Sequence, residues 1–352
     1  MRSRIWFTTI SRTLQILKPI EDLPADFQQE GCVATVGVFD GVHLGHFHVL
    51  REVVTRAEKS GLKSVMVTFA DHPKSVLIGR APATVTSLEH RLLLFRRAGI
   101  NATLVLSFTP ELRELTAQDF TRKILLDGLG LRELVFGFDS KFGKDRSGNP
   151  VSLRPLSRDL GFAITEVPPL RLGGRAISST FIREAVQLGD LENASTMLGR
   201  PVSVLGTVVK GDQRGRELGF PTANLDLHHE LHPPRGVYAG LVRLPGSAKP
   251  GLLPAVINLG TRPTFDGDAE KVEVHLIDFD GDLYGQDLEV FFLQAIRPEA
   301  SFANASALSA QIEADLAEAR SILANADQNW RIPGEFLPIE GSRTRDLGLG
   351  SR

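Results

Sequence analysis

The chain has 352 residues, 42% of them hydrophobic and 23% charged, with a formal net charge of −2. That length exceeds most single cores and predicts two domains. The near-neutral balance gives no electrostatic reason to expect nucleic acid or an anionic membrane as partner. The one cysteine, Cys32, excludes an internal disulfide; with no long apolar run, the sequence predicts a cytoplasmic protein.

Residues 1–13 are basic, rich in Ser/Thr and free of acid. This is the composition of a transit peptide, and a short extension explains it equally well. From residue 33 apolar runs alternate with helical patterns. "VATVGVF" (33–39) reads as a buried strand, and 45–60 as a helix with Phe47, Leu50, Val54 and Ala57 on one face. Further strands are expected at 63–69, 102–108, 133–138 and 162–167, and further helices at 88–99 and 116–129. Strand then helix, repeated, means an α/β domain with a parallel sheet covered on both faces.

Near residue 200 the pattern changes. Strand-like runs at 203–211, 236–244, 253–260, 271–279 and 287–297 are separated by Gly/Pro/Asp-rich turns. They predict an antiparallel β-barrel or sandwich, closed by a helix at 306–326. The expected layout is an extension (1–13), a first domain (14–198), a second domain (199–328) and a loose tail (329–352).

Two stretches carry phosphate chemistry. "GVFDGVHLGH" (37–46) joins the first strand to the first helix. Ligands of open α/β sheets bind at the carboxyl ends of strands, and a helix start presents free N–H groups. Gly41 and Gly45 permit close approach, and His43 and His46 can donate to phosphate, with a cationic imidazole stabilising its charge. Metal ligation lacks further residues at a recognisable spacing, and ordinary loop packing is the bland alternative. In "ISSTFIRE" (177–184), Ser178 or Ser179 can cap a helix and Arg183 can neutralise polyphosphate. In the second half, "VKGDQRGRELGFPTANL" (209–225) can wrap phosphates through its backbone, with Thr222 and Asn224 offering oxygens to a hard cation. A Gly-rich hairpin loop explains it equally well. Glu273, in mid-strand among β-branched residues, is a candidate general base; an exposed strand face is the alternative. "DFDGDLYGQDLE" (278–289) has acidic residues at EF-hand spacing but Leu283 where that loop requires Gly, so it reads as a hairpin turn. "HHELH" (228–232) reads as a chance cluster in a loop.

The 37–46 string resembles the His-x-Gly-His motif of the nucleotidylyltransferases, in the form found in prokaryotic FAD synthetases. "FADHP" (69–73), "FGFDSKFGKDRSGN" (136–149) and "ISSTFIRE" follow in that family's order. Ala70, Asp71, Ser140 and Ala176 depart from its pattern. "GRELGFPTAN" (215–224), "GVYAG" (236–240), "INLGTRPTF" (257–265) and "VEVHLIDFDGDLYG" (272–285) are similar to the riboflavin kinase domain. The joint order resembles the bifunctional riboflavin kinase/FAD synthetases. That resemblance implies a Rossmann-like nucleotidylyltransferase domain followed by a kinase barrel, with riboflavin, FMN and ATP as substrates and Mg²⁺ as cofactor. It implies catalytic roles for Glu273, His43, His46 and Arg183. It also implies ATP contacts at Gly37, Phe39, Asp40, Gly41, Gly45, Ser179, Thr180, Gly211, Gly219 and Pro221. Flavin contacts are implied at His72, Asp139, Arg146 and Arg297, and metal contacts at Thr222 and Asn224. The departures motivate an alternative, a riboflavin kinase whose first domain only binds nucleotide or flavin. A third reading, an adenylyltransferase for another phosphorylated metabolite, sits poorly with the kinase-like second half.

Overall fold

The computed structural model describes residues 15–17, 25–70, 83–211, 214–227, 230–245, 251–264 and 267–325. The expected extension and tail, and His72 and Asp71, lie outside these residues. The chain forms two compact units: residues 1–39, 45–81 and 92–170, and residues 40–44, 82–91 and 171–352. The boundary expected at 198/199 falls inside the second unit, just before the barrel begins.

The first unit is built on a six-stranded, wholly parallel sheet. Its strands are β1 (Gln15–Leu17), β2 (Cys32–Val36), β3 (Lys63–Phe69), β4 (Ala102–Leu106), β5 (Leu131–Gly137) and β6 (Ala163–Val167), in the order β1-β4-β3-β2-β5-β6. Every residue of β2 and β4 is buried, as apolar runs covered on both faces require. From β2 the chain first builds outward through β3 and β4, then returns to place β5 on the other side of β2. The carboxyl ends of β2 and β5 therefore flank the topological switch point, where open α/β sheets bind ligands.

The helix Leu44–Ser60 buries Phe47, Val49, Leu50, Val53 and Ala57. Val54, expected on that face, is only half-buried; the stripe runs through Val53 instead. The helix expected over 116–129 is one α-turn (Ala117–Asp119) continued by a π-helical stretch (Phe120–Leu126). A helix with no predicted counterpart spans Pro150–Leu160. Asn149 caps it, accepting from the Val151 and Ser152 N–H groups at 3.0 and 3.1 Å, and Gly161 ends it at φ 71°.

The long segment of the second unit, from residue 171, begins with a hairpin of β7 (Arg171–Leu172) and β8 (Arg175–Ala176), then the helices Ser179–Leu188 and Leu191–Leu198. A closed antiparallel barrel follows: β9 (Val202–Val209), β10 (Ala223–Asp226), β11 (Gly236–Arg243), β12 (Leu253–Thr264), β13 (Gly267–Leu276) and β14 (Asp287–Arg297). Their order round the barrel is β10-β13-β12-β11-β14-β9. Strand alternation fills it: Val272, Val274 and Leu276 are buried in the core, and Lys271, Glu273 and His275 lie half-buried between them. Ile182, Val186, Leu191 and Leu198 belong to the same core. The helix Ala305–Asn325 sets Ala319 against Ile277 and Ala239 outside the barrel.

Candidate functional sites

After β2 the backbone turns sharply. Phe39, Gly41 and Val42 have φ of 53°, 79° and 36°, and the helix starts at Leu44. Gly37 is required because a Cβ there would lie 2.8 Å from the Phe39 ring. That ring packs 4.5 Å from the His46 imidazole and edge-on to Phe95. His46 and Gly45 are half-buried in the first helical turn.

Residues 40–44 are held from several sides within the second unit. The buried Asp40 carboxylate accepts from the Thr86 N–H at 3.1 Å and from Arg183 Nη2 at 2.9 Å. Gly41 N–H donates to Thr86 Oγ1 at 2.8 Å, and Ser179 Oγ donates to the Asp40 carbonyl at 2.9 Å. Arg183 Nε donates to the Ala83 carbonyl at 3.1 Å. Arg183 is thus an ordered cation aimed by Asp40, and the Asp40 carboxylate is engaged with protein donors. Ser178 is the N-cap of the helix that carries Arg183, and Thr180 is exposed on its first turn. His43 is 5% exposed. Burial, helped by the nearby Arg200 guanidinium, pushes its pKa down to about 3. The cationic imidazole expected from sequence is therefore a neutral one at His43, able to donate a hydrogen bond without carrying charge.

Asp139 and Arg146 are exposed on the loop that follows β5. That loop packs tightly: a Cβ on Gly143 would meet the Ala117 backbone at 2.7 Å. Ser140, a departure from the family pattern, accepts from the Gly137 N–H at 3.1 Å and so closes the turn itself.

On the barrel, Glu273 of β13 is paired in register with Asn224 of β10 on one side and Asn258 of β12 on the other. Residues directly opposite across strands share a face, so the three side chains form one row. Asn258 Nδ2 donates to Glu273 Oε2 at 3.4 Å, and Lys271 Nζ lies 2.9 Å from Oε1. The Glu273 side chain remains 24% exposed. Two glycines make room around this row. A Cβ on Gly211 would sit 2.2 Å from the Asn224 amide nitrogen, and one on Gly215 would sit 2.4 Å from the Phe220 carbonyl. Gly219 has φ of 87°. Pro221 is exposed and Thr222 half-buried, and His275 Nδ1 donates to the Pro221 carbonyl at 2.8 Å. Arg297 forks onto Asp315 at 2.8 to 3.0 Å and lies over the Phe302 ring, tying β14 to the last helix.

Sequence reasoning missed three features. Lys271 and Asn258 flank Glu273; the K-x-E spacing, which puts both side chains on one strand face, was the available signal for the first. Arg200 is buried beneath residues 41–42. The third is a buried ionic cluster, His90 between Glu230 and Glu289, with side chains fully buried. His90 Nδ1 lies 3.0 Å from Glu230 and Nε2 3.3 Å from Glu289. Glu230 also accepts from the Ser87 and Leu205 N–H groups at 2.7 and 2.9 Å. Glu230 belongs to the "HHELH" stretch taken for a chance loop cluster. The 278–289 segment forms a turn in which Asp278 pairs with Arg320. Among the described residues no three His, Cys, Asp or Glu side chains gather as a metal cluster.

A parallel sheet followed in the chain by a glycine-bearing loop that leads into a helix, and a closed barrel with a carboxylate-centred row, define a two-part phosphate-transfer enzyme. Residues 26–181 match the family described as FAD synthetase, and residues 198–323 match Riboflavin kinase. The chain is 38% identical to a bifunctional riboflavin kinase/FMN adenylyltransferase of Haemophilus influenzae, over 83% of this chain and 94% of that one. It is 39% identical to the Pseudomonas fluorescens protein of the same description, over 88% and 98%. A solved structure described as a macrolide-efflux protein from Streptococcus pneumoniae is 30% identical, with a TM-score of 0.73 over 89% of this chain and 99% of that chain. No helix among the described residues is long and apolar enough to cross a membrane. The chain belongs to the bifunctional riboflavin kinase/FMN adenylyltransferase family and carries the domains of both activities.

Proposed function

We propose that the barrel phosphorylates the ribityl 5′-hydroxyl of riboflavin and that the first half joins the resulting FMN to AMP. The observation that carries the kinase reading is Glu273, partly exposed in a row with Asn224 and Asn258. Glu273 takes the proton of the substrate hydroxyl as its oxygen bonds to the γ-phosphorus of ATP, and ADP leaves. Lys271, 2.9 Å from its Oε1, holds that carboxylate in place. Gly211, Gly219 and Pro221 shape the loop that receives the phosphates, and Arg297 borders the flavin side.

The Thr222 hydroxyl and the Asn224 amide supply hard oxygen donors, and the missing side chain of Gly211 leaves the Asn224 amide its space. That donor set fits Mg²⁺, which takes few protein ligands. When bound it would neutralise phosphate charge.

For adenylyl transfer, an FMN phosphate oxygen bonds to the α-phosphorus of ATP. The bond to the bridging oxygen breaks, and pyrophosphate leaves with the electron pair. No covalent enzyme intermediate is required. His43 donates as a neutral imidazole, His46 lies on the first helical turn, and Arg183 supplies the cation. Gly37, Phe39, Gly41 and Gly45 shape the loop, with Ser179 and Thr180 at the second helix start. Asp139, Arg146 and His72 serve the flavin side. We place the chain in the cytoplasm; its one cysteine lies inside β2, where burial pushes the thiol up to about 12.

The kinase-only alternative is not favoured, since the family assignment spans both halves. Incubation with riboflavin, ATP and Mg²⁺, followed by chromatography of the flavins, tests the reading. FMN and then FAD are expected. FMN alone would remove the adenylyltransferase half, and no flavin product would remove both.

A further inference from the structure

Arg200 is 2% exposed, two residues before β9. Burying a guanidinium costs several kcal/mol unless its donors are satisfied, so its placement needs a reason. Its two terminal nitrogens fork onto consecutive carbonyls, Nη2 to Gly41 at 2.8 Å and Nη1 to Val42 at 2.9 Å. No peptide bond among the described residues is cis, so each N–H there lies opposite the carbonyl of its own peptide plane. Drawing these two carbonyls toward Arg200 turns the N–H groups of Val42 and His43 away from it. The backbone there is unusual: Gly41 has φ of 79°, and Val42, a β-branched residue, has φ of 36°. Such a conformation persists only where the surroundings over-determine it. Successive N–H groups facing one way form an anion-binding concavity, here directly before a helix start.

We propose that Arg200 is a positioning residue for adenylyl transfer, gripping the Gly41 and Val42 carbonyls so that the Val42 and His43 N–H groups face the ATP phosphates. This rests on the adenylyltransferase reading of the first half. Arg200 touches no substrate; it acts through the loop. A second effect points the same way. Among the described residues, the charged groups around residues 40–44 are Asp40, Arg183, Arg91 and Arg200, and Asp40 is already engaged by Arg183. The positive charge of Arg200 adds to burial in keeping the His43 imidazole neutral.

Two variants test this in the full chain. Arg200→Lys keeps the charge but cannot fork onto two carbonyls; Arg200→Met removes both. In each, FMN-to-FAD and riboflavin-to-FMN rates are measured on the same preparation. The His43 ring nitrogens are titrated by NMR, with His43→Asn assigning the signal. The expected result is a fall of about 100-fold in kcat for FAD formation in both variants. The kinase rate stays within about twofold, and His43 in Arg200→Met titrates closer to its ordinary value. Unchanged FAD formation in Arg200→Lys would overturn the proposal, as would equal losses of both activities in both variants. Should Arg200→Met fail to fold, Arg200→Lys decides alone. A wild-type chain that makes no FAD would defeat the adenylyltransferase reading, and the His43 titration would still show whether Arg200 governs that imidazole.

Discussion

Replacing His90 by Gln would remove the imidazole held between Glu230 and Glu289 in the buried cluster. Burial pulls that imidazole toward neutrality, but Glu230 and then Glu289 reverse it and raise its pKa from 6.5 to about 9. A tenfold change in proton affinity corresponds to about 1.4 kcal/mol, so the shift links about 3 kcal/mol of folding free energy to one proton. Because the folded value lies above the unfolded one, this stability is fully present below pH 6.5 and is lost as pH rises through about 9. Urea unfolding followed by circular dichroism, on wild type and His90→Gln at pH 6 and pH 9.5, isolates the term because other titrations cancel in the difference. The advantage of wild type over the variant is expected to shrink by about 3 kcal/mol between the two pH values. An advantage that stays level, or grows with pH, would refute the charged-histidine account. Glu230→Ala should cost about 3–5 kcal/mol at pH 6, since it strands the imidazolium and two buried N–H donors.

Glu273→Gln should lower riboflavin phosphorylation by about 10²–10⁴-fold while the chain still converts supplied FMN to FAD, which chromatography of each reaction checks. Gly211→Ala drives a methyl group into the Asn224 amide; an overpacking cost of about 1–3 kcal/mol should appear as about a tenfold rise in the kinase KM for Mg–ATP. His43 has the opposite linkage to His90. Its folded pKa is depressed, so its stability contribution is present above pH 6.5 and lost as pH falls toward 3. His43→Asn should therefore flatten the decline in Tm between pH 6.5 and 4, as scanning calorimetry would show.

Much of the fold was legible because hydrophobic period carries it. β3 and β14 run over the residues expected, and the last helix is displaced by one. The 37–46 string was legible because strand, glycines and helix start are contiguous in sequence. What the sequence hid was tertiary. Whether Val53 or Val54 is buried depends on the rotation of a helix about its axis. β10 hides in "PTANLD", four residues long and carrying Asn and Asp, because its pairing with β9 and β13 outweighs weak strand propensity. The helix Pro150–Leu160 did announce itself, by Asn-Pro at its start and Gly at its end, but Pro155 in its interior reads as a helix breaker. Arg200 and Glu230 have no local signature, because their partners lie far away in the chain.

That distance has a consequence for the order of events in folding. Asp40 meets Arg183 across 143 residues, and Gly41 and Val42 meet Arg200 across 159 and 158. Closing such loops carries an entropic cost before any contact rewards it, and synthesis proceeds from the N-terminus. A nascent chain of 198 residues holds the complete ten-residue string and its Asp40–Arg183 pair, yet lacks the guanidinium that orients the peptides between them. The earliest motif to be made is thus among the last to take its working shape, and its completion waits on Arg200, two residues ahead of the barrel.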